Sequence, residues 1–125
     1  NMADSQRRGI KQIINAGKWS MQGLHAAFKH EASFRLEVYL AVLLIPIAIY
    51  FSKSPMQLLL MLGTVLIVLL VEILNSAIEA VVDMVCGEER HELAKRAKDM
   101  GSAAVFLAQM LVLASWGTVF YINYV

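Results

Sequence analysis

The chain has 125 residues, of which 58% are hydrophobic and only 17% charged, and its mean hydropathy is +0.59. Soluble domains carry roughly one charged residue in four, so an ordinary soluble domain is excluded and an integral membrane protein is the expectation. Eleven basic and ten acidic residues nearly cancel; no nucleic-acid partner is expected, and the placement of charge matters more than its balance.

In chain order, Asn1 stands ahead of Met2 and reads as a cloning remnant. Nothing after it has the charged, apolar and small-residue order of a cleaved signal peptide, so the first apolar run is expected to stay in the mature protein. Ile10, Ile13, Ile14, Gly17, Met21, Leu24 and Phe28 recur at helical spacing, with Lys11, Asn15, Lys18 and Gln22 elsewhere. This pattern predicts an amphipathic surface helix over about residues 6–28, lying in the membrane interface. The first span is expected at about 33–51, with Arg35 and Glu37 held at an interface, and a tight turn around Ser52 to Gln57 follows. A second span, about 56–84, enters apolar and leaves acidic. A charged loop, CGEERHELAKRAKDMG, precedes a third span at about 100–124, where Trp116, Phe120, Tyr121 and Tyr124 gather as an interfacial belt. The lone Cys86 reads as a packing residue. With no internal repeats, residues 1–125 are expected to form a single all-α membrane domain.

Lysines and arginines set the orientation. Six precede the first span, one lies in the first loop and four in the second. The N-terminus and second loop are therefore expected in the cytoplasm and the C-terminus outside.

Glu72, Asn75, Glu79 and Asp83 fall at i, i+3, i+7 and i+11, so they share a helix face about 80° wide. Ionisable groups in a span are costly and usually face a bundle interior or a water-filled site. Glu72 is the deepest of the four. Glu72 and Glu79 are about 10 Å apart along the axis, too far to chelate one small cation within one chain. Past the stripe, the charged loop offers Glu88, Glu89, His91, Glu92, Lys95, Lys98 and Asp99; Gly101, Ser102, Ala103 and Ala104 then allow close helix packing. There is no phosphate-binding P-loop and no protein-kinase catalytic loop. Spacing alone leads to a carboxylate-rich site at the membrane boundary and names no reaction.

The stretch Glu72-Ile-Leu-Asn-Ser-Ala-Ile-Glu-Ala-Val-Val-Asp83 resembles the signature of the prokaryotic diacylglycerol kinase family, and Ala97-Lys-Asp-Met-Gly-Ser-Ala-Ala-Val105 resembles its second block. Gly23 to Glu37 is similar to its N-terminal block. The resemblance covers nearly the whole chain. It implies a homotrimer of three-span subunits with sites shared between neighbours, in the bacterial inner membrane, transferring the γ-phosphate of ATP to diacylglycerol. It also implies Glu72 as the base with Asn75 orienting, Glu31 and Glu79 as Mg²⁺ ligands, and Glu89, His91, Lys98 and Asp99 as ATP contacts. Ser20, Arg35, Glu37 and Ser102 become lipid-side contacts. His25 and Trp19 depart from residues common in the family, arginine and tyrosine.

Two other readings compete. An undecaprenol kinase would share the architecture, although Asn75-Ser-Ala and Met100-Gly-Ser-Ala-Ala resemble the diacylglycerol branch more. A small proton-coupled transporter would carry its key acid near the midplane, whereas here the acids run toward the cytoplasmic face.

Overall fold

The computed structural model describes residues 2–125; Asn1, read above as a cloning remnant, lies outside the described residues. Four helices follow one another: α1 (Met2–His30), α2 (Ala32–Phe51), α3 (Pro55–Cys86) and α4 (Glu92–Tyr124), with no strand among the described residues. The last three are long and apolar enough to cross a membrane.

Local sequence explains the helix ends. The Ser54 hydroxyl accepts from the Gln57 amide at 3.2 Å and Pro55 opens the helix, so α3 starts with a side-chain cap and a residue whose missing N–H costs nothing there. It stops at Gly87, where φ is +57°, a conformation that suits glycine. The charged segment expected as a loop is mostly helical, and only residues 87–91 connect α3 to α4. Residues 92–99 are good helix formers and carry ion pairs one turn apart, Lys95–Asp99 at 2.7 Å and Arg96–Glu92 at 3.8 Å. Apolar content marks the membrane part of α4; helix propensity extends it by two turns.

Helix length decides where the charge goes. The 20 residues of α2 reach about 30 Å, the thickness of the hydrocarbon layer. The 32 and 33 residues of α3 and α4 reach about 50 Å and overshoot it. The three-residue turn after α2 aligns the helices at the aromatic end, so the excess projects at the other end, where α1 joins α2.

The buried core lies toward the aromatic end. Ala48 and Met61 are fully buried and Val119 is 1% exposed; Ala41, Val65 and Trp116 complete the cluster. Small residues on α2 permit close approach, and Trp116 Nε1 donates to the Met61 carbonyl at 3.0 Å. Beyond this core, Asn123 and Gln57 exchange amide hydrogen bonds of 2.8 and 2.9 Å, Asn123 Nδ2 also donates to the Phe51 carbonyl at 3.0 Å, and Lys53 Nζ donates to the Asn123 carbonyl at 3.0 Å. Phe51 packs edge-on against Phe120 and Tyr124. This end is closed.

α1 packs chiefly against the start of α2. Ala27 is its one buried residue, Phe28 meets Tyr39 edge-on, and Ile10, Ile13, Ile14 and Met21 stay exposed as an apolar face, as a helix resting on a membrane surface requires. A single extended residue, Glu31, separates the two helices. Arg35 secures the corner: Nε and Nη2 donate to the carbonyls of Phe28 and Lys29 at 3.0 Å each, and the guanidinium lies over the Phe28 ring. Those carbonyls end α1 and lack helical partners, so a cation there both bonds them and suits the helix dipole.

Candidate active site at the acidic end

Glu72 is 6% exposed on the face of α3 that turns inward. One turn on, Asn75 Nδ2 donates to Glu79 Oε1 at 3.3 Å. The other end of that carboxamide, Oδ1, is buried and accepts no hydrogen bond, alone in this among the buried side-chain nitrogens and oxygens of the described residues. A further turn on, Asp83 Oδ1 receives Lys98 Nζ at 2.7 Å. The stripe is thus tied to the first turns of α4.

The charges that act most on Glu72 are all acidic: Glu37 of α2, Glu79 of α3 and Glu31 at the α1–α2 corner. Three further carboxylates, one each from α2, α3 and the α1–α2 corner, therefore act on Glu72. Like charges at a membrane boundary are expensive unless a cation is shared among them. Among the described residues no three histidine, cysteine or carboxylate side chains are close enough to form a metal cage. The donors are single carboxylates, a set that suits Mg²⁺, which keeps several waters and is commonly held by one or two carboxylates together with phosphate oxygens.

Beside the stripe, between the end of α3 and the start of α4, lies a cavity of about 580 Å³. Asp83, Glu89, Arg90, His91, Lys95 and Lys98 are among its walls, a mixture of cations and acids. His91 Nε2 lies 3.0 Å from Glu89 across the connection, and Lys95 holds Asp99 at 2.7 Å. On the membrane side, an apolar groove of about 350 Å³ runs between α2, α3 and α4 past Leu40, Leu44, Val65, Val68 and Met110. Glu37 and Gln109 stand at its polar side, with Gln109 Nε2 donating at 3.5 Å. Val68 and Glu72 are four residues apart on α3, so groove and buried acid share a helix face.

The expected site residues fall into three sets. Glu31, Glu37, Glu72, Asn75 and Glu79 converge, and Glu89, His91, Lys98 and Asp99 line the neighbouring cavity. Ser20 is exposed on α1 with its hydroxyl donating to the Ala16 carbonyl at 2.8 Å, Ser102 is exposed on α4, and Arg35 is engaged at the helix corner. None of these three is bonded to the carboxylate group within the chain. Two participants did not stand out in the sequence as site partners. Asp83 lay on the stripe, but nothing local links it to Lys98, fifteen residues on; Gln109 is a single polar residue in an apolar run.

Fold and site together define a small multi-pass helical membrane protein with a carboxylate cluster where its spans leave the apolar layer. Residues 18–120 match the prokaryotic diacylglycerol kinase family, and the chain belongs to it. It is 47% identical over 113 residues to the diacylglycerol kinase of Haemophilus influenzae, covering 90% of this chain and 95% of that one. Against the diacylglycerol kinase of Pseudomonas aeruginosa the identity is 50% over 111 residues, 89% of each chain. The Escherichia coli K12 diacylglycerol kinase is 46% identical over 108 residues, 86% of this chain and 88% of that one. With three membrane-crossing helices and this family, the chain is a bacterial multi-pass membrane protein.

Proposed function

We propose that the protein phosphorylates diacylglycerol to phosphatidate with ATP at the cytoplasmic face of the bacterial inner membrane. The observation that carries this reading is the position of Glu72: buried, surrounded by acids, between an apolar groove and a charged cavity. A substrate with long apolar tails and one reacting hydroxyl fits the groove side, and a polyphosphate fits the cavity side. The lipid hydroxyl oxygen attacks the γ-phosphorus, the bond to the bridging oxygen of the departing ADP breaks, and Glu72 takes the hydroxyl proton. Asn75 orients that encounter. Glu31 and Glu79 would hold Mg²⁺, which would supply neutralisation of the phosphate charge. Lys98 and Asp99 hold the nucleotide, assisted by Glu89 and His91; Arg35, Glu37, Ser20 and Ser102 serve the lipid side. Phosphoryl transfer asks mainly for positioning and charge stabilisation, so separate side chains on separate helices suffice.

The working assembly is a homotrimer with shared sites. Leu74, Ile78 and Val81 leave the outer flank of the acidic stretch of α3 apolar and exposed, and Ser20 and Ser102 point to no carboxylate of their own chain. A neighbouring copy supplies what is missing. By its lysine and arginine distribution, the N-terminus and the α3–α4 connection face the cytoplasm and the C-terminus faces outward.

The test is Mg²⁺-dependent transfer of labelled γ-phosphate to diacylglycerol and, side by side, to undecaprenol, with the purified chain and its Glu72→Gln variant. Preferential labelling of diacylglycerol that Glu72→Gln abolishes is expected. Preferential labelling of undecaprenol moves the substrate to the polyprenol class, and no labelling of either by folded oligomer favours a transporter.

A further inference from the structure

We infer that Gly101 is a positioning residue for the reaction: the space left by its missing side chain fixes the Asn75 carboxamide in the orientation that bonds Glu79. This rests on the reading of Asn75 and Glu79 as site residues and adds a third participant from α4.

A carboxamide has a donating and an accepting end, and Glu79 decides which faces it. Turned the other way, Asn75 would present its oxygen to a carboxylate, acceptor against acceptor. With Nδ2 committed to Glu79, Oδ1 must go elsewhere, and it goes to a buried place without a hydrogen-bond donor. That place is over the α-carbon of Gly101. A methyl group added at Gly101 would overlap Asn75 Oδ1, and its three nearest neighbours would all be side-chain atoms of Asn75, with Cγ at 3.1 Å and Cβ at 3.8 Å.

The usual reason for a glycine in a membrane helix is close approach of a neighbouring backbone. Here the nearest atoms to an added methyl group come from one side chain and not from the backbone of α3. The other glycines among the described residues differ, because an added methyl at any of them meets nothing within 4 Å. Gly101 therefore occupies a helix interior, against its own propensity, to make room for one polar group. Since that group is the end of a side chain that can rotate, an alanine at 101 displaces Asn75 and leaves the crossing of α3 and α4 in place. Glu79 then loses the neutral donor that holds its carboxylate.

The experiment compares Gly101→Ala, Asn75→Ala and the double variant with the native chain in detergent. It measures phosphoryl transfer against Mg²⁺ concentration, thermal unfolding, and the side-chain amide resonances of ¹⁵N-labelled protein. Gly101→Ala is expected to unfold at the native temperature, to lose about 100-fold in turnover, as misplacing a catalytic group by an ångström does, and to need more Mg²⁺. Its Asn75 side-chain resonance moves, and the double variant is no worse than Asn75→Ala alone, because both changes remove the same interaction. Native activity in Gly101→Ala beside an inactive Asn75→Ala overturns the inference and leaves the site reading standing, as do losses that multiply in the double variant. A fully active Asn75→Ala defeats the site reading itself. Should Gly101→Ala fail to fold, recovery of folding in the double variant supports the inference, and a double variant that also fails to fold overturns it.

Discussion

The two ends of the spans are built on opposite principles. At the aromatic end, α2, α3 and α4 meet around Ala48, Met61 and Val119, and Gln57, Asn123, Lys53 and the Phe51 carbonyl satisfy one another. At the acidic end, the charges acting on buried Glu72 are all acidic, Asn75 Oδ1 accepts nothing, and further along α3 a cavity of about 580 Å³ opens at Asp83. One end satisfies its polar groups among themselves; the other leaves Asn75 Oδ1 without a partner and Glu72 under charges of its own sign. The packed core and the unsatisfied polar groups lie at opposite ends of the spans, and the overshoot of α3 and α4 beyond α2 makes room for the second without disturbing the first.

Substitutions at the two ends should break different properties. The largest expected effect is on turnover: Glu72→Gln removes the proposed proton acceptor and should cost about 10²- to 10⁴-fold. Its unfolding temperature should not fall, since the charges acting on Glu72 are acidic and a neutral amide relieves their repulsion. Next comes Trp116→Ala, which empties a buried site and removes the bond to the Met61 carbonyl; a loss of about 3 kcal/mol in unfolding free energy is expected, measured by denaturation in mixed micelles, with turnover retained in the folded fraction. Lys98→Ala removes a cation from the cavity and from its pair with Asp83. The KM for ATP should rise about 10- to 100-fold, the value of a charge-assisted hydrogen bond, while the KM for lipid stays put. Asn123→Ala is the smallest change, about 1–2 kcal/mol of stability from its lost amide bonds, with unaltered kinetics.

The acidic stripe and the three apolar stretches were legible in the sequence because both are matters of period and length. Glu72, Asn75, Glu79 and Asp83 share a face on any regular helix, so their convergence required no knowledge of neighbours. The family blocks added an expected reaction and expected roles, and the match over residues 18–120 shows the family itself. Contacts between helices were not legible. That Arg35 caps α1, that Asp83 takes Lys98, and that Gly101 shelters Asn75 all depend on how helices cross and where the chain bends. The start of α4 at Glu92 illustrates another limit: a charged segment between apolar stretches looks like a loop by hydropathy, yet its ion pairs one turn apart make it helix.

If the acidic end does the chemistry and the aromatic end holds the fold, one paired measurement separates them. Turnover with diacylglycerol and unfolding temperature are determined for Glu72→Gln and Asn123→Ala in the same micelles as the native chain. Glu72→Gln is expected to be inactive and at least as stable as the native chain, and Asn123→Ala to be active and less stable. An active Glu72→Gln variant, or an Asn123→Ala variant that loses turnover while keeping its unfolding temperature, would contradict that division.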